Sequence, residues 1–166
     1  LMQGDQELVT TTEQIEYGLP VQSEAGVGAS WLLASDTKVW ALSGQTVTDV
    51  TPTAVTGISG SYLNWSGGTL GTLAFLCNGL QKPWIWMTNN PGTPMIELPN
   101  WPANTQAKCL RAFKQYLVAL NISKVGGTYP AMVKWSHPAD PGTVPSSWDE
   151  ADPTKDAGEF PLSETP

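Results

Sequence analysis

The residues of this sequence that could do chemistry are few, and their arrangement favours structure and binding over catalysis. His137 is the only histidine among 166 residues, and Pro138 follows it directly. A histidine that acts as a general base needs a nucleophile to activate and a carboxylate to orient it. No G-x-S-x-G pattern or comparable signature accompanies His137. We interpret it as a turn or surface residue and predict that the chain is not an enzyme.

Several carboxylates follow this histidine within one Pro-rich stretch. They are Asp140, Asp149, Glu150, Asp152 and Asp156. A glycosidase would need two of them about 5 to 9.5 Å apart, and calcium would need several oxygen ligands. The sequence marks no pair, and it does not contain the D-x-[DN]-x-[DN]-G pattern of a calcium loop. We therefore expect solvated acids on a loop, with no metal and no cofactor.

The eight tryptophans divide into two groups by their sequence context. Large rings on strands most simply fill the space between packed sheets; a sugar-stacking surface is the alternative. The tryptophans on predicted strands are Trp31, Trp40, Trp84, Trp86 and Trp135. The tryptophans in loop-like contexts, which we consider for contact with a ligand or partner, are Trp65, Trp101 and Trp148.

The elements that must position these residues occur three times along the chain. Each repeat has an apolar strand, a turn-forming Asp or Asn, and a returning strand that contains a tryptophan. The turn residues Asp36, Asn78 and Asn121 are 42 and 43 positions apart, a spacing typical of propeller blades. The corresponding tryptophans are Trp40, Trp86 and Trp135. The repeat predicts an all-β fold with β-propeller-like blades of antiparallel strands.

The predicted organisation follows from this repeat. Residues 1–21 form an entering or ring-closing strand, and residues 22–166 form about three blades, the first of which ends with a strand near residues 61–65. An inserted loop at residues 137–157 interrupts the third blade. Because propellers close with about four to eight blades, we expect an incomplete part of a larger propeller protein. The predicted core positions are Leu33, Phe75 and Val118, each three residues before its turn residue.

Charge is strongly segregated in a chain whose net charge is −7. Residues 101–136 carry five basic groups and no acid, whereas residues 137–166 carry seven acids and one lysine. Phosphate binding is one use of such a patch, but solvated or subunit-contact positions fit the spacing better, and opposite blocks suit head-to-tail packing of identical copies. The insertion is the predicted contact with a neighbouring subunit or tail partner. The candidate partner-contact residues are Trp148, Asp149, Asp140, Lys108, Arg111 and Lys114.

Cysteine content and hydropathy add two expectations. Cys77 and Cys109 lie in strand-like contexts without metal-ligand spacing, which favours two free thiols over a disulfide. No window approaches the roughly 18 apolar residues that a membrane-spanning helix needs, and the first residues do not resemble a signal peptide. We expect no membrane insertion.

Two stretches resemble a known family. The string from Met132 to Pro141, followed by Ser147-Trp148 and then by residues 156–162 (DAGEFPL), is similar to the "RWSD…P…W…AG.F.L" pattern of β-propeller virion proteins in tailed bacteriophages. Residues 34–42 (ASDTKVWAL) are similar to their "GTDTKLYRL" hairpin. The family is the tail nozzle, of the tail tubular protein B type, of short-tailed phages. His137 stands where that family often has Asp.

This resemblance implies a structural protein of the virion tail that is made in the host cytoplasm. Copies would form a symmetric ring, contact the tail-tube or adaptor protein, and leave a lumen through which DNA is ejected without specific binding. An acidic chain is compatible with this because it repels a polyanion. The alternative is a receptor- or carbohydrate-binding propeller module at the tail tip, whose partner is a host surface glycan or receptor.

Overall fold

A computed structural model describes residues 13–22, 30–52, 65–87 and 92–162. Within these ranges the secondary structure is β throughout, and no helix is present that could cross a membrane. The strands are β1 (Tyr17–Val21), β2 (Ser30–Ala34), β3 (Val39–Ser43), β4 (Thr46–Asp49), β5 (Ser66–Leu70), β6 (Leu73–Cys77), β7 (Trp84–Met87), β8 (Ile96–Glu97), β9 (Gln106–Phe113), β10 (Tyr116–Lys124), β11 (Gly127–Trp135) and β12 (Gly158–Pro161).

The strands form three antiparallel sheets of four strands each, and each sheet takes its strands in chain order. Sheet A contains β1 to β4, sheet B contains β5 to β8, and sheet C contains β9 to β12. The expected all-β class is therefore confirmed. The first strand of each sheet lies beside the first strand of the next, since β1 contacts β5 and β5 contacts β9.

Sheet B lies between the other two sheets and is covered on both faces. One face carries Ala74, Leu76 and Trp84, which pack with the inner residues of sheet A. The other face carries Phe75 and Ile85, which pack with sheet C. As successive strand residues point to opposite faces, this double cover explains why all five residues of β6 are buried.

The predicted core positions are confirmed in sheet B only. Phe75 is fully buried, whereas Leu33 and Val118 are half-buried. Sheets A and C are each packed against sheet B through one face, so only alternate residues of β2 and β10 enter the core. The flanking residues take those places: Leu32 and Ala34 in β2, and Leu117 and Ala119 in β10.

The β2–β3 and β6–β7 turns are built in the same way, by side chains that accept backbone hydrogen bonds. Ser35 Oγ accepts from the N–H groups of Thr37 and Lys38 at 3.2 and 2.9 Å. Asn78 Oδ1 accepts from Leu80 and Gln81 at 3.0 and 3.2 Å. The residue equivalent to Asn78 is thus Ser35. Asp36, which we expected there, is the next residue of the same turn.

The expectation for Asn121 is wrong, because this residue lies inside β10. It has a left-handed φ of 55° and falls where the pairing of β10 with β11 shifts between Leu120 and Ile122. Only Asn121 lies between Leu120 and Ile122 in β10, whereas three residues lie between their partners Val133 and Tyr129, so the extra residues of this β-bulge are in β11. Asn tolerates the left-handed conformation better than most residues. The strand continues to Lys124, and the turn follows at Val125 and Gly126.

Sheets A and B repeat one another around their third strands. Trp40 pairs with Asp49 in sheet A, and Trp84 pairs with Glu97 in sheet B. Two residues before each tryptophan, a lysine forms an ion pair with that acid, Lys38 with Asp49 at 3.2 Å and Lys82 with Glu97 at 2.8 Å. Trp84 is therefore the equivalent of Trp40.

The other two tryptophans of the predicted set have different places on their third strands. Trp86 lies two residues beyond Trp84 and pairs with Ala74. Trp135 lies at the end of β11 and pairs with Val118, near the start of β10. The prediction that Trp40, Trp86 and Trp135 lie on equivalent strands is confirmed, with the strand being the third of each sheet instead of the second. Their positions along these strands differ.

The first sheet also differs from expectation in its fourth member. Residues 61–64 lie outside the described part of the chain, and the strand that follows, β5, belongs to sheet B. The expected strand near residues 61–65 therefore lies almost wholly outside the described residues. Among the described strands, the fourth member of sheet A is β1, which pairs with β2 from Tyr17 opposite Ala34 to Val21 opposite Ser30.

Phe75→Ala should lower the free energy of unfolding by about 3–5 kcal/mol, because it leaves a cavity between sheets B and C. Chemical denaturation followed by circular dichroism measures this. Leu80→Ala, at an exposed turn position, is the control and should change stability by no more than about 0.5 kcal/mol. A loss below about 1 kcal/mol for Phe75→Ala would mean that its side chain is not in the core.

Candidate functional site

The basic candidates lie along β9 and its turn, but they are not equally available. Arg111 Nη1 donates to the carbonyls of Gly67 at 2.8 Å and Leu110 at 2.9 Å, and also to Ser66 Oγ. Arg111 therefore connects β9 to β5, the first strand of the neighbouring sheet. Lys108 and Lys114 are exposed and remain candidates for a partner.

The other two basic residues of this segment are neutralised by acids of the same chain. Lys134 Nζ lies 2.6 Å from Glu150 and 3.3 Å from Glu159, and its side chain is only 3% exposed. Lys124 also pairs with Glu159. Glu150 comes from the insertion, so part of the expected attraction between the basic and acidic blocks is satisfied within one chain.

This ion-pair network shifts the pKa of two of its members. For Glu150, burial acts to raise the pKa, but the hydrogen bond and charge of Lys134 outweigh it and hold the pKa below the ordinary value of 4.5. For Lys124, the hydrogen bond with Glu159 raises the pKa above its ordinary value. Both shifts favour the charged forms, which stabilise the packing of the insertion against β11 and β12.

The insertion at residues 137–157 is packed onto its own chain. Trp148 is 1% exposed and belongs to the core between sheets B and C. Its ring meets Trp101 edge-on at 4.6 Å, and Trp101 is buried as well. The structure thus places both in the core instead of at the surface where we expected partner contact. Trp148 holds the loop against the sheets.

Backbone hydrogen bonds fix the same loop at several points. Ala139 N–H donates to the Gln115 carbonyl at 2.8 Å, and Gly142 N–H donates to the Leu70 carbonyl at 2.7 Å. His137 closes the loop because its Nδ1 accepts from the Asp156 N–H at 2.9 Å. His137 is therefore a loop-forming residue, in agreement with its interpretation as a turn residue.

The acidic candidates of the insertion are at the surface. Asp140 and Asp149 are both exposed. Asp149 Oδ1 accepts from the Ala151 N–H at 2.9 Å, whereas it is the main-chain carbonyl of Asp140 that accepts from Thr143. Both carboxylates are therefore accessible to a partner.

Sequence reasoning missed an apolar groove on the outer face of sheet C. It has a volume of about 270 Å³. Tyr116 Oη donates to Asp156 Oδ2 at 2.5 Å, which raises the pKa of Tyr116, and Trp135 Nε1 donates to the Asp156 carbonyl at 3.0 Å. The groove can pack apolar side chains or stack a flat ring. Its lining residues are Phe113, Tyr116, Val118, Val133, Trp135 and Asp156.

Apolar residues continue from the groove across this whole face, which we call the outer face of sheet C. Directly paired residues of antiparallel strands share a face, and Leu120 pairs with Val133, which pairs with Phe160. Phe160 is 59% exposed. The signal for this face was present in the sequence as the alternation Val118, Leu120 in β10 and Val133, Trp135 in β11.

Sheet A also has an apolar outer face, on the side away from sheet B. Leu33 pairs with Trp40, and Trp31 pairs with Leu42. Trp31 is 45% exposed and Leu33 is half-buried. Among the described strands, none from another sheet packs against the outer face of sheet A or of sheet C.

The sulfur and carboxylate groups do not assemble a metal centre in the described ranges, where no three His, Cys, Asp or Glu residues are grouped suitably. Cys77 and Cys109 are both free. Burial raises the pKa of Cys77 to about 12, so its thiol stays protonated and unreactive. No protein-family model matches this chain, and no curated protein matches it significantly.

Trp148→Ala should lower the free energy of unfolding by about 3–5 kcal/mol, since it empties the core beneath the insertion. Trp148→Phe should recover much of this loss, because the indole Nε1 is buried without a hydrogen-bond partner in the described structure. Asp140→Ala is the exposed control from the same loop. Denaturation followed by circular dichroism would contradict this role of Trp148 if its Ala variant matched the Asp140→Ala variant.

Lys134→Met should lower the free energy of unfolding at about pH 7 by roughly 1.5–3 kcal/mol, the range for hydrogen bonds to charged groups. The folded-state pKa of Glu150 is lowered, so its contribution is present above the ordinary pKa of 4.5 and is lost as the pH falls through the folded value. The difference between wild type and Lys134→Met should therefore shrink at about pH 3.

Lys82→Met is the matched control for this pH experiment. Its partner is Glu97, and both side chains of that pair are largely accessible to water, where ion pairs contribute about 0–1 kcal/mol. Urea denaturation at both pH values measures the two variants. A difference between wild type and Lys134→Met that stays constant with pH would show that Lys134 stabilises the fold through packing alone.

Proposed function

We propose that this chain is a structural component of a bacteriophage tail, in the nozzle or tail-tube conduit, where copies form a symmetric ring through which DNA is ejected. The observation that carries the proposal is the stack of three four-stranded sheets with apolar outer faces at both ends. Such faces suit a module that is built into a larger assembly. The assignment to a phage tail depends on the family resemblance of residues 34–42 and 132–162.

The finer architecture under this proposal is a β-propeller. Blades of a propeller are four-stranded antiparallel sheets arranged around a central channel. The four-strand sheets, their stacking face to face and the adjacency of β1, β5 and β9 support this arrangement. The three sheets would then be blades of a larger propeller, of which this sequence is an incomplete part.

The residues behind the resemblance have structural roles that suit such a protein. A Cβ atom on Gly158 would lie 2.3 Å from the ring of Trp135, so the glycine is needed for β12 to lie beside that tryptophan. Trp148 and Lys134, from the same pattern, hold the insertion to the core and to Glu150. A pattern of this kind preserves a strand, loop and strand unit.

In this role the partners are other copies of the chain, the tail-tube or adaptor protein, and DNA that passes without specific binding. The net charge of −7 supports the last point, because like charge keeps a polyanion from adhering to the wall. Lys108, Lys114, Asp140 and Asp149 are the exposed charges that could contact the adaptor or a neighbour. The chain would act without a cofactor.

A second candidate function is receptor or carbohydrate binding at the tail tip, and the groove on sheet C favours it. Phe113, Tyr116 and Trp135 present aromatic surface beside the Asp156 carboxylate, and aromatic faces with a nearby acceptor suit a sugar ring. Binding of the purified chain on a glycan array, abolished by Trp135→Ala, would support this candidate. The nozzle proposal predicts no glycan binding.

Electron microscopy of virions of the encoding phage tests the proposed function. A gold-labelled antibody against the purified chain should mark the tail at one axial position, and an antibody against the major capsid protein should mark heads on the same grid as a control. Label on peripheral fibres would favour the receptor-binding candidate. Washed virions that carry no label, while heads are labelled, would overturn the structural proposal.

A further inference from the structure

The two cysteines of the chain lie beside one buried hydroxyl group. Ser66 is directly opposite Cys77 in the β5–β6 pair, so their side chains share a face of sheet B. Ser66 Oγ also donates to Cys109 Sγ at 3.6 Å. Cys109 belongs to β9, the strand of sheet C that contacts β5. Two thiols that are distant in the sequence are therefore neighbours of the same side chain, where sheet B contacts sheet C.

The surroundings of Cys77 place it against the same stretch of β9. Cys77 is fully buried and belongs to the core between sheets B and C, together with Leu110. Burial and then the neighbouring Cys109 raise the pKa of Cys77 to about 12, while hydrogen bonds with Ser66 and with the main chain of Leu110 act to lower it. Leu110 directly follows Cys109 in β9. The Cys77 thiol thus lies against the residue next to Cys109.

The two thiols differ in their accessibility. Cys109 is half-buried, so a small reagent can reach its sulfur, whereas Cys77 has no exposed surface. Arg111 Nη1 donates to Ser66 Oγ and thereby holds a positive charge beside the pair. A nearby cation stabilises negative charge on an attacking or leaving sulfur. The arrangement provides one accessible thiol that can begin a disulfide exchange and one buried thiol that can complete it.

We propose that Cys109 and Cys77 form a disulfide that joins β9 to β6 when the chain meets a disulfide oxidant such as oxidised glutathione. Cys109 attacks first: its sulfur bonds to one sulfur of the oxidant, the S–S bond of the oxidant breaks, and one glutathione leaves. Cys77 then gives up its proton and attacks Cys109 Sγ, which releases the second glutathione. Two protein thiols are oxidised, one oxidant disulfide is reduced, and the two protons end on the two glutathione thiols.

Burial of Cys77 does not prevent the second step, because that step is intramolecular. Cys77 does not react with a reagent in solution, but the mixed disulfide on Cys109 holds an electrophilic sulfur beside it. Reaction between groups held in this way proceeds at a high effective concentration. A disulfide needs Cβ atoms about 3.5–4.5 Å apart, so Ser66 must give up its bond to Cys109. Its hydroxyl keeps the Leu110 N–H and Arg111 as donors.

The disulfide would hold sheets B and C together covalently. Without it, these sheets are held by an apolar core that includes Phe75 and Ile85, and by the bond from Arg111 to the Gly67 carbonyl. Thiols are kept reduced in the cytosol and are oxidised outside the cell. Under the proposed function, on which this one point rests, the chain is made with free thiols in the host cytoplasm and gains the cross-link in the released virion.

Equilibration of the purified, folded chain in glutathione buffers of increasing oxidised fraction tests this proposal. Alkylation with a maleimide followed by mass spectrometry counts the thiols that remain. The wild type should lose both thiols within one monomer. It should also melt about 5–10 °C higher, since the cross-link constrains the unfolded chain. Reduction with dithiothreitol should restore both thiols and the original melting temperature.

Two single variants separate the roles of the thiols. Cys77→Ser should stop at the mixed disulfide between Cys109 and glutathione, because no second thiol is present to displace it. Cys109→Ser should remain unmodified, because Cys77 is buried. Circular dichroism establishes that both variants are folded. If Cys77→Ser is unfolded, Cys77→Ala takes its place, since it leaves no buried hydroxyl without a partner.

Three results would overturn the inference: a folded wild type that keeps both thiols in a buffer that oxidises the same chain in urea, a wild type that stops at the mixed disulfide, or a disulfide that lowers the melting temperature. Glutathione bound to Cys77 in Cys109→Ser would overturn the order of attack. These outcomes are separate from the labelling of virions. A chain that forms the disulfide but is absent from virions would remove the proposed function and leave the cysteine pair in place.

Discussion

Burial of sheet B on both faces is the constraint on which the rest of the structure depends. β6 has no solvent-facing side, so its residues must be apolar at every position, and its sequence LAFLC meets this requirement. Close approach also needs small neighbours: a Cβ atom on Gly68 would lie 2.9 Å from the Phe75 ring. Sheets A and C then take their places because each has an alternating apolar face that covers B.

The same constraint explains which parts of the fold the sequence could predict. Strand existence, the all-β class and the identity of Phe75 as core follow from apolar runs and turn residues, and these agree with the structure. The predicted core placement of Leu33 and Val118 does not agree with the structure, because a position three residues before the turn does not show which face of the strand is covered by another sheet. A shift of one residue moves a side chain to the opposite face of a strand.

The sequence could identify only some of the turn residues correctly, for a related reason. Ser35 and Asp36 are both turn-forming residues, and only the hydrogen bonds show that Ser35 is the acceptor. Asn121 has a left-handed φ, which neither Asp36 nor Asn78 has, and it lies inside β10 opposite a bulge in β11. The repeat spacing of 42 and 43 residues thus grouped two turn residues with one strand residue of different backbone conformation.

The candidate site was less predictable than the fold, since its residues come from distant parts of the chain. The composition of the insertion predicts a surface loop, yet its Trp148 packs in the core and its Glu150 forms an ion pair with Lys134. The basic residues likewise have different roles. Arg111 bonds to the neighbouring sheet within the chain, Lys134 forms a buried ion pair, and Lys114 is exposed at the surface. Residue type alone could not separate these roles, because each depends on the register of β9 to β12.

These assignments change where an interaction with a partner must be sought. Trp148 is buried in the core, and Glu150 of the insertion is paired with Lys134 of the same chain. The insertion therefore has little apolar surface left for a neighbour. The unsatisfied apolar surface lies instead at the two ends of the stack, around Trp31 and Phe160. Burial of apolar area is the main favourable term in protein association. Under the proposed function, burial of these sheet faces would therefore stabilise assembly more than the insertion does, and the exposed acids of the insertion would set approach and orientation.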